Sequence, residues 1–245
     1  TDHVLVDSNG EKPMPMASTT KIMTALIAMQ TGNLNQVITV KQDAIDRVGT
    51  IGSNAGLVVG EKLTLKDLLY GLLIPSGDDA SVAIADALAG SPARFAERMN
   101  LFAERLHLYQ THYTNVDGLT ADFQTNPDHY TTAADLVRLS SYAMHNKLFA
   151  EIVKTKTYSL PRTDQHPPHT WTTTNDLISA YNGTLGIKTG HTWEAGYCLV
   201  FAAEHNGHHL IGAILNSPTA EARVADAEAL LKWGFALPMR PPYQV

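Results

Sequence analysis

Two strand-length apolar runs near the C-terminus constrain this chain most. Residues 195–204 and 208–216 are rich in Ala, Val, Leu, Ile and Phe, and Asn206-Gly207 between them is a tight-turn signal. A lone hairpin is marginal in water, so this one needs a third strand or a packed helix. Both are at hand. Leu185 to Gly190 reads as an edge-like strand just before it, and Thr219 to Trp233 reads as a helix just after it.

The earlier two thirds carry helical periodicity instead. A helix is expected from about Thr19 to Thr31, with Ser18 as N-cap, a stripe of Ile22, Ala25, Leu26 and Met29, and Gly32 as its stop. Thr64 and Asp67 form a capping-box-like pair before the stripe Leu65, Leu68, Leu69, Leu72 and Leu73. Pro75 and Gly77 break that helix. The run from Asp79 to Leu88 is small and apolar nearly all round, which suits a central buried helix. Ser91-Pro92 opens another helix carrying Phe95, Met99, Phe102, Ala103 and Leu106, and Thr131 begins one with Leu136, Leu139 and Met144. Residues 35–60 read as strands and loops with Val37, Ile38 and Val40 as a candidate strand, while 109–130 and 157–175 read as loops or extended chain. His3 to Asp7 reads as a short strand before an Asn9-Gly10 turn.

The order strand, helices, strands, helix predicts an α/β (α+β) architecture, an antiparallel sheet formed by both chain ends with a helical block inserted. One catalytic-sized domain is expected over 1–237, its sheet part at about 1–15 and 185–237 and its helical part at about 18–155. Residues 238–245, with Pro238, Pro241 and Pro242, read as a linker or tail.

Composition removes several function classes. The chain has 245 residues, 44% apolar and 17% charged, as an ordinary globule does. A formal net charge of -6 disfavours nucleic acid as a partner. Cys198 is the single cysteine and sits in an apolar run, so it reads as a small buried hydrophobe. Eleven histidines include the groups His166 with His169 and His205 with His208 and His209, but none has zinc-protease spacing, so no metal and no cofactor are expected. No apolar run is long enough for a membrane span. The chain opens at Thr1 without Met, as expected of an exported protein whose leader is removed, or of a fragment.

Three short motifs carry the chemistry. In Ser18-Thr19-Thr20-Lys21, the lysine lies one helical turn from the serine on the same face. A neutral amine beside a hydroxyl can take its proton, and a helix N-terminus offers N–H groups to an oxyanion. Ser76-Gly77-Asp78 sits at a break between two apolar helices, a rigid place to expose polar groups. Alone it also reads as a turn with Asp78 and Asp79 capping the next helix. Lys188-Thr189-Gly190 ends a strand, where Lys188 reads as a solvated lysine. On an ideal strand Lys188 and Thr189 point to opposite faces, so both reach one substrate only with twist or a bulge. Each motif is weak alone. In this order they match the serine acyl-transfer set of S-x-x-K, S-x-N and K-T-G.

With these motifs in place, the chain resembles the low-molecular-mass penicillin-binding proteins that act as serine-type D-Ala-D-Ala carboxypeptidases, relatives of class A β-lactamases. The likeness runs from about residue 3 to 236 and is strongest over 15–24 and 186–200, with further matches at 111–119 and 130–136. It implies a β-lactamase/transpeptidase-like fold. It implies an acyl-enzyme on Ser18 with Lys21 as general base, Ser76 relaying protons, and Asp78 completing the catalytic set. Lys188, Thr189, Gly190 and His191 would bind the substrate, and the backbone N–H groups of Ser18 and His191 would form the oxyanion hole. The implied partners are a peptidoglycan stem peptide ending in D-Ala-D-Ala and β-lactams as covalent inhibitors, and the implied location is extracytoplasmic in a bacterium.

The departures are specific. Asp78 stands where the family carries Asn; an ionised Asp only accepts hydrogen bonds and favours the charged form of a neighbouring lysine. Residues 172–177 lack the Arg that many members place before K-T-G, and the strand that usually precedes the segment matching His3–Asp7 is missing from the sequence. Three readings stand in this order: a carboxypeptidase; a D,D-endopeptidase or weak β-lactamase; and a non-catalytic wall-peptide or β-lactam-binding protein.

Overall fold

The structure, a computed structural model, describes residues 3–49, 51–120 and 125–238. A 3-10 turn, Ala17–Thr20, leads into α1 (Lys21–Thr31). Then follow β1 (Val37–Thr39), α2 (Gln42–Val48), β2 (Lys62–Thr64), α3 (Leu65–Leu73), α4 (Asp78–Ala89) and α5 (Pro92–Arg105). After a long connection come α6 (Ala133–Met144), α7 (Lys147–Lys154), β3 (Thr157–Leu160), β4 (His169–Thr172) and α8 (Leu177–Ala180). The chain closes with β5 (Thr184–Thr192), β6 (Gly196–His205), β7 (His208–Ser217) and α9 (Ala220–Ala236).

Local chemistry sets most of these boundaries. Thr64 caps α3 by accepting from Asp67 N–H, Ser91 caps α5 by accepting from Arg94 N–H with Pro92 in the first turn, and Thr219 caps α9 through Ala222 N–H. Thr132, one residue past the expected Thr131, caps α6 through Asp135 N–H. Three helices, α2, α7 and the four-residue α8, were not singled out from the sequence. α2 falls in the stretch read as strands and loops, and α7 starts where Asn146 accepts from Leu148 and Phe149 N–H. α2 carries few buried residues, so it offers little apolar periodicity to read.

The main sheet is antiparallel and three-stranded, in the order β5-β6-β7. Central β6 is apolar along its length because both its faces are covered. Leu199, Phe201 and Ala203 pack toward Leu177 and toward Ala227 and Leu231 of α9, while Val200 and Ala202 join the helical core. That core centres on α1, α3 and α4, where Ile22, Leu26, Leu68, Leu72 and Ile84 are fully buried. Each such side chain contributes about 1.5–3 kcal/mol of burial.

The sheet departs from expectation at its other end. His3 to Asp7 form no strand, and the main sheet among the described residues comes from the last third alone. A strand needs a neighbour for its N–H and C=O groups. Residues 3–7 find none; Leu5 lies beside Gly234 of α9, and Val4 and Val6 stay exposed. The expected strand at His3–Asp7 is thus absent and residues 8–12 form a turn, while residues 1–2 and residues 239–245 of the expected tail lie outside the described residues. No helix among those described is long and apolar enough to cross a membrane.

Candidate active site

Ser18 lies within the 3-10 turn, and the expected N-cap role is not what it does. The turn has no side-chain cap; instead Lys21 Nζ lies 2.8 Å from Ser18 Oγ in a hydrogen bond. The turn is strained at Ala17, whose φ is 47°. A non-glycine residue there costs about 1–3 kcal/mol and persists only where packing dictates it. The packing comes from the 113–119 segment. Gly118 sits so close that a Cβ would fall 1.8 Å from the Ala17 carbonyl oxygen, so no side chain fits.

Lys21 is wholly buried, and three oxygens surround its Nζ: Ser18 Oγ at 2.8 Å, the Asp117 carbonyl at 3.0 Å and Asp78 Oδ1 at 2.6 Å. Asp78 opens α4 and is itself buried, with its N–H donating to Ser53 O. Burial pushes its carboxyl up to about 6, Lys21 pulls against that, and the charge of Asp117 adds to the rise. Behind Asp117, Arg47 of α2 closes a two-point bridge, Nε to Oδ2 at 2.6 Å and Nη2 to Oδ1 at 2.7 Å. Ser76, at the junction of α3 and α4, has a left-handed φ of 68° and a buried Oγ without a partner among the described residues. An orphaned buried hydroxyl is costly in a resting protein and useful beside a reacting group.

The third motif comes in on β5, the edge strand of the main sheet. Gly190 runs against the turn that bears Ser18; a Cβ there would sit 3.0 Å from Ser18 N and 3.1 Å from Met16 O. That approach carries the His191 main chain to the turn that bears Ser18. Thr189 Oγ1 pairs with Thr174 Oγ1 at 2.6 Å, while Lys188 Nζ donates to Thr189 O at 2.9 Å. The solvated strand-end lysine of the sequence reading is corrected here, because Lys188 is only 1% exposed. Burial pushes it well below the ordinary lysine range, the charges of Lys21 and Arg223 push the same way, and Asp78 opposes.

Arg223 is the residue the sequence reading missed. Among residues 172–177 there is no Arg, yet α9 brings one in from behind the sheet. Its Nη1 lies 3.3 Å from both Gly190 O and Cys198 O, its guanidinium stands over the Tyr197 ring, and its Nε is buried without a partner among the described residues. A lone Arg on a helix of mixed polarity carried no signal; only the sheet–helix packing places it. Tyr197 in turn stacks on His191 across the β5–β6 pair, with ring centres 4.1 Å apart. Burial and Arg223 together lower His191. Cys198, as expected, is buried, and its thiol is pushed up to about 11 by burial.

A serine under a buried lysine, a second serine on a helical loop and a lysine–threonine–glycine edge strand together define a serine acyl-transfer enzyme with the transpeptidase/β-lactamase-like fold. Comparison with known proteins makes this particular. The chain belongs to the D-alanyl-D-alanine carboxypeptidase family, a family of serine hydrolases whose model matches residues 1–219. It is 41% identical over 233 residues to the D-alanyl-D-alanine carboxypeptidase of Streptomyces sp. strain K15, covering 90% of this chain and 78% of that protein. It is 32% identical over 240 residues to DacF of Bacillus subtilis, covering 96% of this chain and 60% of that one. The crystal structure of the Streptomyces K15 DD-transpeptidase superposes with a TM-score of 0.88 at 39% identity, over 95% of this chain and 92% of that one.

Proposed function

We propose that the protein removes the terminal D-Ala from peptidoglycan stem peptides through an acyl-enzyme on Ser18. Ser18 Oγ attacks the carbonyl carbon of the penultimate D-Ala as Lys21 Nζ takes its proton. The oxyanion rests on the N–H groups of Ser18 and His191. The C–N bond then breaks, and Ser76 passes a proton to the departing D-Ala amine. Water hydrolyses the ester, releasing the shortened peptide and restoring Ser18. Lys188, Thr189, Gly190 and His191 line the place of the terminal carboxylate, and Arg223 strengthens the positive field behind it. A β-lactam enters by the same attack and stays as an ester. Stem peptides lie outside the cytoplasm, so this reading places the protein extracytoplasmically in a bacterium.

One observation carries this reading: the 2.8 Å contact between Lys21 Nζ and Ser18 Oγ in a buried setting. Proton transfer needs that reach before any tuning of the base. The test is intact mass after mixing with penicillin, joined to assay of D-Ala release from a pentapeptide. The parent protein should gain one penicilloyl mass and release D-Ala, and Ser18→Ala should do neither. An adduct that survives the change, or that maps to Ser76, overturns the assignment. Release of D-Ala only from a crosslinked dimer would make the protein an endopeptidase.

A further inference from the structure

His129 lies in the connection between α5 and α6, far from the three motifs in sequence, yet it is buried beside the nucleophile turn. Its two ring nitrogens have different and fixed duties. Nδ1 faces Thr114 N–H at 3.0 Å and accepts from it. That leaves the proton on Nε2, which meets Thr20 Oγ1 at 2.8 Å and donates to it. With its lone pair engaged, the Thr20 hydroxyl points its own proton at the Ala17 carbonyl, 2.8 Å away. A directed chain therefore runs from Thr114 through His129 and Thr20 to Ala17. Ala17 is the strained residue immediately before Ser18, and Thr20 immediately precedes Lys21.

The chain of bonds ties together two parts that must keep their register. One is the turn that carries Ser18 and Lys21. The other is the 113–119 segment, whose Asp117 carbonyl is an acceptor for Lys21 Nζ and whose Gly118 fits under the Ala17 carbonyl. Thr24 Oγ1, one helical turn on, adds a bond to Val116 O at 2.6 Å. The nucleophile turn has no side-chain cap of its own. Its Thr19 and Thr20 hydroxyls bond back to the Met16 and Ala17 carbonyls at 2.7 and 2.8 Å, and His129 sets from outside which way the Thr20 hydroxyl points.

We infer that His129 is a positioning residue for acylation, which orients the Thr20 hydroxyl and so fixes the turn bearing Ser18 and Lys21 against the segment that carries the Asp117 carbonyl. His129 touches neither substrate nor a reacting atom. It acts on the rate of ester formation and leaves recognition of the ligand alone. This rests on the reading of Ser18 as the nucleophile.

Two substitutions separate the two nitrogens. Gln places its terminal amide nitrogen where Nε2 lies and can still donate to Thr20. Asn reaches only as far as Nδ1 and can still accept from Thr114, but lets Thr20 go. The measurement is the time course of penicilloyl adduct against penicillin concentration, which gives the acylation rate constant and the encounter affinity separately. His129→Asn should slow acylation about tenfold or more, since displacements well below an ångström-scale register cost rates of that order. Its encounter affinity and melting temperature should stay near those of the parent. His129→Gln should acylate within about threefold of the parent, the donor being kept. Thr20→Val, which removes the hydroxyl from the other end, should reproduce the Asn defect even if the Asn protein folds poorly, and Thr20→Ser should rescue it. Acylation of His129→Asn and Thr20→Val at the parental rate overturns the inference, as does a Gln variant as slow as the Asn one. The Ser18→Ala control keeps the two failures apart. An adduct without Ser18 defeats the nucleophile assignment, whereas a Ser18-dependent adduct that forms at full rate in both variants defeats only the role of His129.

Discussion

The two buried lysines of this protein sit in opposite electrostatic company. Under the Ser18 turn the charges are matched: Lys21 with Asp78, and Arg47 with Asp117. On the sheet side Lys188 and Arg223 are buried with main-chain carbonyls as their partners, and no carboxylate pairs with either among the described residues. A matched nest is complete at rest. Unmatched burial is costly for a cation, which is why Lys188 is pushed toward its neutral amine; the charged form of both groups becomes favourable when an anion arrives. On the function proposed above, the difference suits the first region to handling a proton and the second to receiving the substrate carboxylate.

Equivalent substitutions at the two lysines break this comparison most forcefully if it is wrong. Lys21→Met should abolish acylation and also destabilise the fold, because it strands Asp78 buried without its partner; breaking such a pair costs about 3–5 kcal/mol. Lys188→Met should leave the melting temperature unchanged or raised, since a Met stem fills the same space without a buried amine. Its kcat/KM on a D-Ala-D-Ala peptide should fall about tenfold to a hundredfold, the worth of a charge-assisted contact at about 1.5–3 kcal/mol. Thermal melts and peptide kinetics on both variants decide the matter. Equal losses of stability would mean that Lys188 is as firmly paired as Lys21.

Asp78 sharpens the same contrast. Its carboxyl, raised to about 6, lies 2.6 Å from Lys21 Nζ, and a negative charge at that distance favours an ammonium over the free amine that must take the Ser18 proton. Acylation should therefore be slow near pH 7 and climb toward alkaline pH, with an apparent pKa that belongs to the pair. Asp78→Asn removes the charge and adds a donor. It should speed acylation at pH 7 by several-fold and move the alkaline rise to lower pH. Superimposable pH profiles for the two proteins would show that Asp78 does not tune the base.

The last expected effect, from the clamp behind the turn, is on stability rather than on the chemical step. Burial lowers His129 to about 4, with Asp117 opposing and His112 and Arg47 assisting, while an unfolded chain protonates the same ring near 6.5. Between those values the unfolded state binds more protons, so stability rises with pH and is lost as pH falls from 6.5 toward 4. The loss amounts to at most about 3 kcal/mol. Denaturation of the parent and of His129→Gln across pH 4–7 should show a shallower slope in the variant. Parallel curves would place the acid sensitivity in another group.

Much of this molecule was legible as sequence because its signals are local. Caps at Thr64, Ser91 and Thr219, the Asn206-Gly207 turn and the periodic stripes of α1, α3 and α5 each depend on residues within a few positions of one another. The three motifs could be read in the same way, and their order named the chemistry. What the sequence could not decide was which side chains become neighbours across long separations. The burial of Lys188, the arrival of Arg223 behind Gly190 and the link from His129 to Thr20 depend on packing between distant elements and leave no periodic trace. The segment His3–Asp7 shows the converse. Its short apolar run Val4-Leu5-Val6 suits a strand, yet a strand exists only where another edge accepts its hydrogen bonds, and that is a property of the tertiary structure.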